Sequence, residues 1–177
     1  VGAEQPRAQD APPRRGGHVG AGARRQDRSD DVGLLRREAA LLERELAVMI
    51  LTDAVSLNSE TQARISAWVE GGGTLLRFAG PRLAAQPDDA LLPVELRAGE
   101  RSLGSGMAGT MQGRLAPFDQ GSPFYGIALP EHVRVYKEVL AQPGPETEER
   151  TWARLEDGSP LVTAKQQGEG WVVLVHT

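Results

Sequence analysis

The sequence predicts an α/β domain in three layers, a parallel sheet between helices, with a small β-rich region inserted and a hairpin at the C-terminal end. Three observations predict it. Leu46–Thr52 (LAVMILT) is a near-continuous apolar run of strand length, a helix-spaced stripe at Ile65, Trp68 and Val69 follows, and Thr74–Phe78 is a second apolar run placed directly after three glycines. Strands that are apolar throughout are those buried on both faces, as in a parallel sheet covered by helices. Strand, helix and strand joined by short connections then imply a right-handed crossover.

Each element has a local reason. Asn58 or Ser59 can cap the helix, and Ser59 with Gln62 has the spacing of a capping box, in which two side chains satisfy two free amides reciprocally. Gly71-Gly72-Gly73 supplies the stop, because glycine takes left-handed backbone at a helix end without a Cβ clash. Upstream, LLRREAALLERE over Leu34–Glu45 places leucines at helical spacing among strong helix formers and predicts a further helix. Between Arg82 and Glu131 short apolar pieces are broken by Gly, Pro and Ser, the pattern of a loop-rich excursion bearing small strands. Val133, Val135 and Val139 read as a half-exposed strand, and Pro143-Gly144-Pro145 as a break. Thr151–Leu155, Ser159–Gln166 and Trp171–Val175 form a meander whose Asp-Gly and Gly-x-Gly junctions are hairpin signals; its last member is apolar enough for the main sheet.

Bulk composition bounds the rest. At 177 residues the chain suits one core, and 40% hydrophobic with 25% charged residues is the range of globular domains. No apolar run nears the roughly 20 residues of a membrane-crossing helix, so a membrane link would need segments absent from this chain. A net charge of −4 gives no attraction to polyanions, and no nucleic-acid partner is expected. Residues 1–33 are an Arg/Gly/Pro-rich tail almost without large apolar side chains, too poor in burial to offset the entropy of ordering. A nucleic-acid arm would want aromatics for stacking, which this tail lacks. The ordered domain is therefore expected over 34–177.

The stretches LAVMILTDAVSLNSETQARISAWVEGGGTLLRFAGPRLA, DDALLPVEL, LAPF, SPFYGIALPEHVRV and TWARLEDGSPLVTAKQQGEGWVVLVHT resemble a group of bacterial membrane-anchored proteins of unknown function. These join an aerotolerance-operon-type membrane segment to a class I glutamine amidotransferase-like domain. The resemblance runs from about Leu46 to Thr177 and implies a flavodoxin-like, amidotransferase-like parallel sheet, incomplete at both ends. It further implies a place at the bacterial inner membrane and a protein partner in the cell envelope, although this piece by itself reads as soluble. Active class I amidotransferases carry Gly-x-Cys-x-Gly at a strand-to-helix turn, where a thiolate attacks an amide with a histidine as its base. The comparable turn here is Ala79-Gly80-Pro81-Arg82, and the chain has no cysteine. Without a nucleophile no acyl-enzyme forms, so the resemblance implies a fold kept without its reaction. The domain is then an interaction or sensing module and not an enzyme.

The candidate site gathers at the carboxyl edge of the sheet, where open α/β folds place ligands. Asp53 ends the first strand, as a site carboxylate or as a loop-starting Asp that bonds its own turn. Arg77 lies within an apolar strand and needs an acidic partner or the sheet rim. Gly80 and Arg82 form the turn that follows it, and His176 ends the last strand. Two rival functions use these residues: a small-ligand binder for an anion or sugar through Arg77 and Arg82, and a hydrolase pairing Asp53 with His176. Such a hydrolase requires both side chains in one pocket within hydrogen-bond reach. The three histidines, His18, His132 and His176, share no metal-ligand spacing, so neither metal nor cofactor is expected. The triple glycine follows a helix and precedes a strand, the reverse of a phosphate loop. Trp68, Trp152 and Trp171 read as core and sheet-face packing in preference to a carbohydrate platform.

Overall fold

The computed structural model describes residues 46–53, 57–86, 89–103, 113–129 and 131–177. The expected tail over 1–33 and the expected helix over 34–45 lie outside them. Within the described residues the chain is a mixed α/β domain built on a five-stranded sheet and a separate two-stranded ribbon.

Strand β1 (Val48–Leu51) leads through helix α1 (Ser59–Glu70) to β2 (Thr74–Phe78), and the two strands pair in parallel, Val48 opposite Thr74 and Leu51 opposite Arg77. The cap of α1 is Asn58, whose Oδ1 accepts the amide of Thr61 at 2.8 Å, so the Ser59–Gln62 capping box is not what starts this helix. Ile65 and Val69 are fully buried on the inner stripe, with Trp68 packed beside them. The helix stops at Gly71, and Gly72 takes the left-handed backbone (φ 112°) that turns the chain into β2.

The expectation of a parallel sheet holds for only part of it. The strand order is β1-β2-β7-β6-β5, with β7 (Gly170–Val175) parallel to β2, and β6 (Pro160–Gln167) and β5 (Thr151–Arg154) antiparallel. The reason is connection length: a tight Gly168-Glu169 turn joins β6 to β7, and so short a link can only join antiparallel neighbours. The terminal hairpin thus supplies two of the main sheet's five strands, with β7 at the centre of the sheet.

The excursion after β2 begins with an unexpected short helix, α2 (Pro81–Ala84), and contributes the ribbon β3 (Arg101–Ser102) with β4 (Lys137–Glu138). The strand expected across Val133–Val139 contracts to those two residues of β4, flanked by a single bridge between Gly113 and Val135. After Pro143-Gly144, α3 (Pro145–Glu149) leads into β5.

Two apolar groups hold the parallel half. Met49, Leu51, Leu75 and Val172 pack against Ile65 and Val69 of α1. Ala79, Leu83, Ala84, Val94, Leu96, Val139, Ala141 and Leu174 form a second cluster over the carboxyl ends of β2 and β7. Trp171 and Trp152 lie with ring centroids 5.1 Å apart, and Trp152 meets Phe124 edge-on at 6.2 Å.

Candidate functional site

Asp53, Gly80, Arg82 and His176 all follow the carboxyl ends of β1, β2 and β7, and Arg77 is on β2 itself. Sharing one edge does not bring their chemistry together. Asp53 accepts the amide of Leu83 at 2.7 Å on Oδ1 and that of Arg82 at 3.1 Å on Oδ2. It therefore caps α2 from another strand. Free amides at a helix start attract anions, and here the protein's own carboxylate satisfies two of them. Gly80 makes the approach possible, because a Cβ at this position would lie 2.5 Å from Asp53 Oδ2.

Arg77 finds the acidic partner its burial demands. Its Nη1 sits 2.8 Å from Asp89 Oδ2, with both side chains less than 10% exposed, and it donates to the carbonyl of Leu91 at 3.0 Å. Asp89 also accepts the amide of Leu91 at 2.9 Å, so the pair pins the loop that carries Leu91 into the core beside α1.

His176 is wholly buried. Its Nδ1 lies 2.8 Å from the carbonyl of Val139 and its Nε2 lies 2.9 Å from Thr163 Oγ1. A carbonyl only accepts, so Nδ1 carries the proton and Nε2 accepts from the threonine hydroxyl. Burial pushes the imidazole below its ordinary pKa, against a smaller opposing effect of the Val139 carbonyl. The ring is thus a neutral link between β6, β7 and the segment after β4. One strand, β2, separates it from the strand carrying Asp53, two interstrand spacings or roughly 10 Å, and both groups are bonded elsewhere. The Asp53–His176 pair that the hydrolase requires is not formed.

A second polar cluster, not foreseen in the sequence, joins the ribbon to the β5–β6 turn. Arg101 on β3 is in ion-pair contact with Glu138, its partner across β4, and its Nη2 lies 2.6 Å from Asp157 Oδ2. Ser159 Oγ lies 2.7 Å from Asp157 Oδ1 and 3.1 Å from Glu138 Oε2. Burial raises the pKa of Glu138, outweighing the Arg101 charge. Burial pushes Asp157 the same way, but hydrogen bonds from Ser159 and Arg101 prevail and leave it lowered. The serine has no imidazole beside it among these contacts, so the group latches two sheets together and lacks the base of an acyl-transfer site. The sequence signal was misleading: period-two alternation with Val135 and Val139 inside turns Glu138 to solvent, whereas Glu138 and Val139 are both buried.

A cleft of about 440 Å³ lies beside this turn between Arg114, Leu115, Leu129, Glu131, Val133, Arg134 and Glu156. A second, of about 250 Å³, runs between Val94-Glu95 and Gln142–Thr147. Neither takes a wall from the five residues expected to form a site. No group of three or more metal-ligating side chains is found among the described residues, nor is any helix there long and apolar enough to cross a membrane.

No family model and no curated protein matches the chain. Its likenesses are to solved structures. It is similar to the cytoplasmic protein STM3548 of Salmonella typhimurium (TM-score 0.54, 12% identity, covering 79% of this chain and 63% of that one). Another is the cytoplasmic protein STM1381 of Salmonella typhimurium LT2 (0.53, 15%, 79% and 63%). A third is the cold-adapted β-galactosidase of Rahnella sp. R3 (0.50, 18%, covering 73% of this chain and 20% of that one). At these identities the likeness is one of fold. The chain spans under two thirds of the Salmonella proteins and a fifth of the galactosidase.

Proposed function

We propose that this chain is a catalytically silent amidotransferase-like module, a three-layer domain serving interaction or sensing within a bacterial cell-envelope protein. One observation carries the reading. At the strand-to-helix turn where an amidotransferase displays its thiolate, this chain has Ala79-Gly80-Pro81-Arg82 and no sulfur nucleophile anywhere. The carboxylate of Asp53 already occupies the amides of Arg82 and Leu83 that open α2. An oxyanion formed there would meet a negative charge where stabilisation needs open donors. A module is also consistent with the galactosidase comparison, in which a fold of this kind makes up about a fifth of a much longer chain.

The test is a direct assay. Purified protein incubated with glutamine, and separately with a p-nitrophenyl ester, is expected to release ammonia and nitrophenol no faster than buffer. Turnover that disappears in Asp53→Asn or His176→Gln while the fold persists by circular dichroism refutes the proposal.

A further inference from the structure

The latch between the ribbon and the β5–β6 turn is short of a hydrogen. Ser159 Oγ touches a carboxyl group on either side, Asp157 Oδ1 at 2.7 Å and Glu138 Oε2 at 3.1 Å, and a serine hydroxyl has one proton to give. Were both acids ionised, one of these contacts would set two oxygens face to face with no hydrogen between them. The charges count the same way. Arg101 Nη2 meets Glu138 Oε1 and Asp157 Oδ2 alike, so one guanidinium stands against two acids. Solvent cannot make up the difference at Glu138, whose side chain is wholly buried.

We propose that Glu138 and Asp157 hold one shared proton through Ser159, and that losing it as pH rises frees the β3–β4 ribbon from the β5–β6 turn. With the proton on Glu138 Oε2, every contact of the serine is satisfied. Oε2–H donates to Ser159 Oγ, the hydroxyl donates to Asp157 Oδ1, and the remaining lone pair of Oγ accepts from Arg101 Nη2 at 3.2 Å. Asp157 is the acid that keeps its charge, since it also accepts the Ser159 amide at 3.0 Å and Arg101 Nη2 at 2.6 Å. Burial lifts Glu138 above the ordinary carboxylate range against the charge of Arg101; burial pushes Asp157 up as well, but hydrogen bonds from Ser159 and Arg101 bring it below its usual value. Two acids in such contact titrate as a pair.

The release acts at a junction because the two acids belong to different pieces: Arg101 and Glu138 face each other across the ribbon, while Asp157 and Ser159 stand on the turn before β6. Ionised, Glu138 is set against Asp157 across that junction. The charged groups facing Glu138 are Arg101 and Asp157. On the same ribbon Lys137 and Glu100 pair at 3.8 Å, nearer solvent, and toward β7 the ring of His176, bonded to the Val139 carbonyl, is held neutral by burial. The folded chain keeps a proton that the unfolded chain has released, so stability falls as pH rises from the ordinary 4.5 of a glutamate to the folded value. The device works whether or not the domain is an enzyme.

Urea unfolding of wild type, Glu138→Gln and Asp157→Asn between pH 4 and pH 8.5 tests the shared proton. Gln carries the neutral form at every pH, so the folding constant of wild type relative to this variant should drop by about tenfold or more across the range, tenfold corresponding to one pH unit between folded and unfolded values. Asp157→Asn leaves one acid for Arg101 and one acceptor for the hydroxyl, and the drop should largely vanish. Parallel profiles for wild type and Glu138→Gln mean that no proton is held, and a full drop in Asp157→Asn assigns the effect to burial of Glu138 alone; either overturns the proposal. Hydrogen exchange of the unmodified protein reads the unlatching without any variant. The Leu103 amide, which donates to the Tyr136 carbonyl at 2.8 Å, should lose about tenfold of its protection from pH 5 to pH 8.5 and exchange faster than the amides of α1 at the higher pH. Protection that does not fall, or that stays equal to that of α1, refutes the release of the ribbon.

Discussion

Replacing His176 by Gln should flatten the stability of this domain against mild acid. The ring is fully buried, its Nδ1–H donates to Val139 and its Nε2 accepts from Thr163, so the neutral form is the one that fits. Burial lowers its folded pKa from 6.5. The unfolded chain therefore binds a proton that the folded chain refuses, and stability rises with pH wherever the unfolded state holds more protons. The contribution of His176 is complete above about pH 6.5 and is lost as pH falls from there toward the folded value. Over a window ending one unit below the unfolded pKa the loss is at most about 1.4 kcal/mol, the limit for a ring that takes up no proton in the fold. Glu138 acts with the opposite sign, since its folded pKa is raised and its contribution diminishes as pH rises. The quantity to measure is therefore the difference between wild type and His176→Gln in urea unfolding at pH 7.5 and 5.5. The substitution should cost stability at pH 7.5, and the gap should narrow at pH 5.5, by at most about 1.4 kcal/mol. A gap that stays constant or widens in acid would mean that the imidazole charges freely inside the fold, and the tautomer argument would fail.

The other predictions concern the same edge. Asp53→Ala removes acceptors from two amides of α2 and should lower stability by about 1 kcal/mol, the ordinary worth of a helix cap, read as the denaturant midpoint at unchanged m-value. Gly80→Ala forces a Cβ into the Asp53 carboxylate; it should destabilise the wild type clearly and the Asp53→Ala background much less, and equal costs in both would remove the close-approach argument. Arg77→Met leaves Asp89 buried without its cation and should cost about 3–5 kcal/mol. The double change Arg77→Met with Asp89→Leu should recover most of this loss, and a double variant no more stable than the single one would contradict a paired-charge origin.

What the sequence made legible follows the range of the forces involved. Apolar runs and helical spacing are local, and they located β1, α1, β2 and β7 to within a residue or two at most ends. The centrality of β7 was legible too, because GWVVLV leaves no polar face to give to solvent. Strand direction was only half legible: the glycine turn marked a hairpin, but not that the hairpin would extend the main sheet antiparallel beyond β7. The polar partners were illegible because they are distant along the chain. Nothing near Asp53 announces that its acceptors will serve amides 29 and 30 positions later. Arg77 alone signalled a need, through the cost of an unpaired guanidinium inside a strand, and the sequence did not say that Asp89 would meet it.

These partners have a common source. Asp89, the Leu91 carbonyl and the Val139 carbonyl all belong to the excursion between β2 and β5, and so do the α2 amides. The same excursion supplies Leu83, Ala84, Val94, Leu96, Val139 and Ala141 to the cluster over the carboxyl ends of β2 and β7. An open α/β sheet binds ligands at that edge because strand ends and helix starts leave unsatisfied polar groups there. Here the groups are present, and the inserted chain satisfies them one by one before any ligand arrives. On the proposed reading, an amidotransferase site here would need internal partners removed as well as a nucleophile added. Placing a cysteine at Gly80 would bring its Cβ against Asp53 and leave the thiolate beside a carboxylate, which raises a thiol's pKa when a nucleophile needs it lowered. On the proposed reading, the silence of this edge rests on its hydrogen bonds as much as on its lack of sulfur.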